Sequence, residues 1–305
     1  MCAPYGQRFP LCREGARVNG ALAAQVASMV IFGTIGIFRR YIPLPSSVIA
    51  MIRGLIGMLF LLAVMTAGKK RLSREAICRN GWKLALSGAL LGFNWILLFE
   101  AYRYTSVATA TLCYYMAPVI VILVSPLLGE QLTRRRMACV LAALCGMVLV
   151  SDILGAGFAG GAEFAGVAFG LGAAALYAGV MLMNRQLRDI SAYDKTVVQL
   201  GMAAALLLPY VLLTENLAGM QMDLRAAAML LLVGVVHTGV AYALYFGSMH
   251  ALRVQTVALL SYVDPVVAII LSALVLSERM TPANMAGALL VLGAAFVSEL
   301  PEKKA

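Results

Sequence analysis

Of the chain's 305 residues, 62% are hydrophobic and only 12% charged, and the mean hydropathy is +0.89. Soluble domains average about 45–50% apolar and about 25% charged, so this composition excludes a water-soluble enzyme, a disordered regulator and a nucleic-acid-binding module. The net charge of +10 arises from 24 basic against 14 acidic residues, and the basic ones sit in short polar breaks between apolar runs, as membrane topology requires.

A bilayer core about 30 Å thick needs about 20 helical residues to cross it. Ten apolar segments meet that need in chain order: about 20–38, 44–68, 84–102, 105–128, 137–151, 165–184, 196–214, 226–249, 254–277 and 281–298. An all-α polytopic membrane protein is therefore expected. The first segment follows a basic tail, 1–19, but its 19-residue apolar run exceeds the roughly 7–15 residues of a signal-peptide core, so it reads as a retained helix. The fifth is short and is expected to extend into Arg134–Arg136. The longest polar break runs from Lys69 to Lys83, and a further tail spans 299–305. No segment outside the membrane is long enough to fold alone, so any chemistry must lie among the helices.

With the N-terminus inside, eighteen Lys and Arg residues fall in inside segments and five (Arg39, Arg40, Arg103, Arg225 and Arg279) in outside ones, while Arg53 lies within a span. That bias predicts an inner-membrane protein with both termini cytoplasmic. Glu100 precedes Arg103 by three residues, so a local ion pair is expected. Cys2, Cys12, Cys78, Cys113, Cys139 and Cys145 show no Cys-x-x-Cys spacing and read as small hydrophobes, with neither a disulfide framework nor a metal site. Gly155-x-Gly157-x-x-Gly160 spells a dinucleotide fingerprint, but no strand precedes it, and loop flexibility accounts for it. Gly88-x-x-x-Gly92 and Gly166-x-x-x-Gly170 fit close helix packing. No HExxH, P-loop or nucleophile elbow is present, so no enzymatic activity and no cofactor are expected.

The chain also resembles itself at an offset of 147 residues: Trp95 is met by Tyr242, Leu97 by Leu244, Phe99 by Phe246, Val107 by Val254, Thr109 by Thr256, Leu112 by Leu259, Tyr115 by Tyr262 and Pro118 by Pro265. After a one-residue insertion, Gly129-Glu130-Gln131-Leu132-Thr133 is echoed by Ser277-Glu278-Arg279-Met280-Thr281. The tyrosine and proline pairs and the shared Glu-x-x-Thr carry most weight, because apolar matches between membrane helices arise easily by chance. Two five-helix repeats follow, 20–151 and 165–298, joined by an outer loop, 152–164. Five is odd, so the second repeat enters the membrane from the opposite side. Such inverted repeats characterise secondary transporters whose substrate site lies near the midplane between the halves, and the repeat argues for alternating access.

The stretch Phe99-Glu100-Ala101-Tyr102-Arg103-Tyr104-Thr105-Ser106-Val107-Ala108 resembles the end of the third helix and start of the fourth in the drug/metabolite transporter superfamily, whose members carry paired EamA domains. Ser261-Tyr262-Val263-Asp264-Pro265-Val266-Val267-Ala268 resembles its ninth-helix motif, with Asp264 where a glutamate is more usual. Phe32-Gly33-Thr34 and Arg53-Gly54 resemble patterns in its first two helices. The resemblance implies a transporter of small organic solutes, with a cavity formed mainly by the first, third, fourth, sixth, eighth and ninth spans. Export or exchange is the direction it suggests.

Asp264 is the foremost candidate: it lies mid-span, where an acid costs about 2.5–3.5 kcal/mol to insert, and its counterpart is Ala117. It could receive a substrate ammonium or a coupling proton, or pair structurally with Arg53 or a tyrosine. Pro265 frees the carbonyl of Ser261 and Pro118 that of Tyr114, so both repeats have an interrupted helix at equivalent depth, a hinge or a binding feature. Tyr114, Tyr115, Tyr262, Trp95 and Tyr242 could wall one cavity, or serve packing alone. Arg53 could clamp a carboxylate, snorkel to the surface or pair with an acid. His237 is a candidate proton relay or a hydrogen-bonded structural group, and Asn94 could bond substrate or a neighbouring helix. His250 reads as a loop residue, and Glu130 and Glu278 as structural boundary acids. The expected partners are a small-molecule substrate, the lipid bilayer and a coupling proton, with no nucleic acid and no metal; nothing in the sequence sets an oligomeric state. An amino acid or related zwitterion suits an acid, a base and aromatic walls together. Drugs or organic cations would need Asp264 but not Arg53. A nucleotide-linked sugar would need more deep basic residues than the one at Arg53. A scaffold without transport would have little use for the repeat.

Overall fold

A computed structural model describes residues 11–124, 126, 133–150, 161–217, 220, 222–249, 251–252, 256–257, 260–278 and 280–300. Glu130, Val254, Leu259, the Gly155–Gly160 motif, His250, Arg253, Arg279 and the residues before 11 and after 300 lie outside the described residues.

In chain order come α1 (Leu11–Arg40), α2 (Ser46–Ala67), α3 (Arg74–Arg79), α4 (Gly81–Tyr104), α5 (Val107–Tyr114), α6 (Ala117–Val124), α7 (Arg134–Val150), α8 (Gly161–Arg185) and α9 (Ala192–Thr214). They are followed by α10 (Leu224–Leu232), a π-helical stretch (Val233–Val240), α11 (Ala241–Met249), α12 (Val263–Val275) and α13 (Pro282–Glu299). Side-chain oxygens cap several starts: Ser106 accepts from the Thr109 N–H, Ser191 from Asp194, Asp223 from Ala226, and Thr281 from Asn284 within a capping box.

Seven helical segments among the described residues are long and apolar enough to cross a membrane: Val18–Arg40, Ser46–Ala67, Gly81–Tyr104, Val107–Val124, Gly161–Arg185, Ala192–Thr214 and Leu224–Ser248. The other three segments expected from the sequence meet shorter helices. Three arginines open the 17-residue α7, α12 has only 13 residues, and α13 has 18. The fourth span, expected over 105–128 with its ladder interrupted by Pro118, has a turn at Tyr115 and Met116 between α5 and α6. The ninth has the matching turn at Ser261 and Tyr262. The cause is the same in both repeats, since Pro118 and Pro265 each lack the N–H that would continue the ladder. The polar break at Lys69–Lys83 also holds a short helix, α3, capped by Ser73.

Helix contacts repeat under exchange of the halves. α1 packs on α11 and α12, and α8 packs correspondingly on α4 and on α5 and α6. α2 meets the π stretch as α9 meets α4, while α2 pairs with α9 and α7 with α13, each helix with its own counterpart. Glycines at the 147-residue offset serve these contacts: Gly54 faces the Leu200 carbonyl and Gly201 faces Met58, while Gly92 faces Leu207 and Gly239 faces Phe60. The two Gly-x-x-x-Gly motifs also lie at close approaches, where a Cβ on Gly88 would sit 2.6 Å from the Met202 Cβ and one on Gly166 2.7 Å from the Thr105 Cβ.

α7 and α13 meet backbone to backbone. A Cβ on Gly287 would lie 2.6 Å from the Gly146 carbonyl oxygen, and one on Gly146 would lie 2.7 Å from that of Gly287. Both obstacles are backbone, which cannot rotate aside. Gly287→Leu is expected to destabilise the protein by about 1–3 kcal/mol, the usual cost of overpacking. Gly293→Leu on the same helix, with no atom within 4 Å of a Cβ there, is expected to leave thermal unfolding in the same detergent unchanged.

At the end of the bundle where α1 finishes, Glu278 collects several partners. Its Oε1 accepts from Arg40 at 2.9 Å, and its Oε2 accepts from the Val107 N–H at 2.9 Å and from the Ser272 hydroxyl at 2.6 Å. Arg40 also donates to the Thr105 carbonyl at 2.9 Å. The boundary acid thus ties α1, α5 and α12 together. Nearby, Glu100 and Arg103 form the expected local ion pair at 3.0 Å.

Candidate functional site

The turn at Ser261–Tyr262 places Asp264 in the first turn of α12, against α1. Gly33 allows this approach, since a Cβ there would lie 2.6 Å from the Asp264 carbonyl oxygen and 2.8 Å from the Val267 Cβ. The Tyr115 hydroxyl, from the matching turn of the other repeat, lies 2.9 Å from Asp264 Oδ2 and 3.1 Å from the Ser261 carbonyl. The carbonyl released by Pro265 is thereby bonded by the repeat-related tyrosine. One phenolic proton faces two acceptors, so it can satisfy only one of them fully at a time. Among the described residues Asp264 Oδ1 has no hydrogen-bond partner.

Rings continue from this point through both interruptions. Tyr177 of α8 packs on Tyr114 at 5.1 Å, Tyr114 meets Tyr115 edge-on at 6.2 Å, and Tyr115 meets Tyr262 at 6.2 Å. All four rings are only partly buried although they lie deep in the helix bundle. Asp264 lies within electrostatic reach of Tyr102, Tyr114, Tyr115 and Tyr177.

Arg53, on α2, is 4% exposed and does not reach the surface. Its guanidinium carbon lies 4.2 Å from the centre of the Trp95 ring and 5.6 Å from that of Phe99, a stacking that suits a planar, weakly hydrated cation. Its Nε donates to the Thr238 hydroxyl at 2.8 Å. Among the described residues no carboxylate lies within ion-pair distance, and the two terminal nitrogens of the fork make no hydrogen bond. Arg53 and Asp264 are therefore not paired with each other. Tyr102 and Tyr114 lie within electrostatic reach of both.

The π-helical stretch makes these contacts. Its wider turn lets Thr238 bond the Val233 carbonyl five residues back at 3.3 Å while accepting from Arg53. The adjacent His237, 1% exposed, meets Thr34 of α1 through Nε2 at 2.8 Å and packs edge-on against Phe38 at 4.8 Å. One turn later Tyr242 stacks on Phe246 at 5.7 Å and meets Phe32 at 5.3 Å. Asn94 lies apart: it is fully buried and donates to the Ala173 carbonyl at 2.6 Å, joining α4 to α8.

The structure thus brings Asp264, Tyr115, Tyr262, Tyr114, Arg53, Trp95 and Tyr242 into one neighbourhood, with His237 beside it and the helix interruptions next to Pro118 and Pro265 carrying Tyr115 and Tyr262. Sequence reasoning did not single out Thr34, Tyr102, Tyr177 or Thr238 as site residues. Thr34 and Tyr102 stood only within the stretches that carry the family resemblance, and Tyr177 and Thr238 showed no more than a polar atom inside an apolar run.

Comparison with known proteins agrees with the repeat and the architecture. The sequence profile of the EamA-like transporter family matches residues 19–152 and again 164–299. An uncharacterized transporter of Bacillus subtilis (strain 168), YxxF, is 30% identical over 254 residues, covering 82% of this chain and 80% of its own. An uncharacterized transporter of Archaeoglobus fulgidus is 26% identical over 278 residues, covering 90% and 95%. Protein PecM of Dickeya dadantii (strain 3937) is 28% identical over 222 residues, covering 71% and 73%. A solved crystal structure shares the fold, with a TM-score of 0.65 and 20% identity over 91% of this chain and 96% of the other. Two matches to one profile, each falling on one of the two repeats, leave a single assignment: the chain belongs to the EamA-like transporter family and is a multi-pass membrane transporter of the drug/metabolite type.

Proposed function

We propose that the protein is a secondary transporter that moves a small zwitterion, an amino acid or a close relative, by alternating access between two inverted repeats, with both termini in the cytoplasm. The observation that carries this reading is an unpaired acid and an unpaired base at one tyrosine-lined site, Asp264 and Arg53, neither of which neutralises the other. Isolated charges at this depth are costly. A solute bearing an ammonium and a carboxylate completes both.

Asp264 Oδ1 takes the ammonium or, in the empty carrier, the coupling proton, while the free end of the Arg53 fork takes the carboxylate. Tyr114, Tyr115, Tyr262 and Tyr242 enclose the remainder of the solute, and His237, bonded to Thr34, offers a proton relay toward α1. The interruptions at Pro118 and Pro265 serve as the points about which the halves rearrange. The order of charges along the chain supports the orientation, and export or exchange is the direction the family resemblance favours.

Export of organic cations is the second reading, favoured by the packing of Arg53 on Trp95, which leaves Asp264 and aromatic walls as a site for a cation alone. The test is uptake into proteoliposomes, with and without a proton gradient, of labelled amino acids, of matched amines lacking the carboxylate and of a nucleotide-linked sugar. Saturable uptake of amino acids well above the matched amines is expected. Equal or faster transport of the amines replaces the zwitterion reading with the cation one, and uptake of the nucleotide-linked sugar alone overturns both.

A further inference from the structure

At the opposite end of the bundle from Glu278, the start of α4 and the link between α8 and α9 enclose a pocket of about 380 Å³ lined by Arg79, Asn80, Lys83, Gln186, Arg188 and Asp189. Its frame is fixed by Asn80, 3% exposed, whose side chain donates to the Ala76 and Arg188 carbonyls at 2.8 and 2.9 Å and accepts from the Arg188 N–H at 3.2 Å. One wall therefore comes from the first repeat and the other from the second, held by hydrogen bonds between them. Lys83 donates to the Gln186 carbonyl at 3.1 Å and lies 5.7 Å from the ring of Trp82. Trp82 is 64% exposed, and an exposed indole at the end of a membrane helix marks the headgroup level of the bilayer. Three cations face one acid, Asp189, which pairs with Arg79 at 3.2 Å.

We infer that this pocket binds the phosphate group of an anionic phospholipid, with Lys83 and Arg188 as its principal cations. The three bases supply the charge, the volume admits a headgroup, and the position beside Trp82 sets the depth at which a lipid phosphate lies. Basic pockets between transmembrane helices are suited to such headgroups, and each basic residue near an anionic surface contributes about fivefold in binding. Free phosphate shares the chemistry and is separated by experiment. Because the pocket spans both repeats, an occupant bridges them independently of the transport site.

The test measures phosphatidylglycerol retained by the purified full-length protein, by native mass spectrometry, alongside thermal unfolding in lipid-free detergent with added inorganic phosphate. Lys83→Gln with Arg188→Gln is expected to lower retention about fivefold for each charge removed. Asp189→Asn is expected to raise it, since it releases Arg79 from its ion pair. Asp189 is an exposed residue with φ of 48°, a conformation that asparagine tolerates, so this variant reads out the site without disturbing the fold. Stabilisation by inorganic phosphate that the double variant loses, without lipid retention, assigns the site to a free anion and overturns the lipid source. Retention and unfolding that are unchanged by both sets of substitutions overturn the site itself.

Discussion

Asp264→Asn is expected to reduce saturable uptake at least about 30-fold, the lower bound for removing one charge of a buried charge pair, while reconstitution and thermal unfolding stay close to wild type. Asparagine has the same shape and keeps an oxygen that can accept from Tyr115, so the turn at Ser261–Tyr262 and the contact with Gly33 survive. It loses the negative charge for the ammonium and the capacity to carry a proton. Comparing the variant with and without a proton gradient separates these roles. If Asp264 holds the coupling proton, the variant loses its response to the gradient yet retains slow exchange of one solute molecule for another. If it holds only the ammonium, both modes fall together. Wild-type uptake by a well-folded variant assigns Asp264 to helix packing.

Arg53→Lys is the second large effect. Lysine keeps the positive charge but not the planar fork, and it loses the face-on contact with Trp95 at 4.2 Å. A hydrogen bond to a charged group contributes about 1.5–3 kcal/mol, so the apparent affinity for an amino acid is expected to fall about 10- to 100-fold. A matched amine lacking the carboxylate is expected to be handled as by the wild type. The contrast between the two solutes is the readout, because a purely structural arginine would affect both alike. Loss of both in parallel places Arg53 in the framework joining α2, α4 and the π stretch.

The sequence was most informative where covalent chemistry dictates the outcome. Two prolines 147 residues apart had to interrupt two ladders, and the structure has turns at Tyr115–Met116 and Ser261–Tyr262. The tyrosine and the acid around those turns were visible from the repeat and from the cost of a mid-span charge. Contacts between helices were less accessible, because hydropathy constrains which residues are buried but not the rotation of one helix against another. Arg53 could be read as seeking an acid, yet its partner is the hydroxyl of Thr238, available because a π turn shifts the register of that helix. No sequence period announces a π turn. Tyr102 and Tyr177 were hidden for a related reason: in a chain with 12 tyrosines, only the three-dimensional arrangement distinguishes those within reach of Asp264 from those at the periphery. Asn94, equally open to two roles in the sequence, joins α4 to α8 through the Ala173 carbonyl.

The contacts of α2 with α9 and of α7 with α13 bring each helix against its own duplicate. They are the isologous interfaces that a homodimer of half-length chains would form. In such a dimer every side chain at the axis would occur twice, so an acid would face an acid and a base a base. Within one covalent chain the copies are free to diverge. Asp264 stands opposite Ala117, and the position 147 residues beyond Arg53 is Leu200, beside the matched glycines Gly54 and Gly201. Joining the halves in one polypeptide therefore permits matched positions to carry different side chains while the helix contacts of the two halves still repeat.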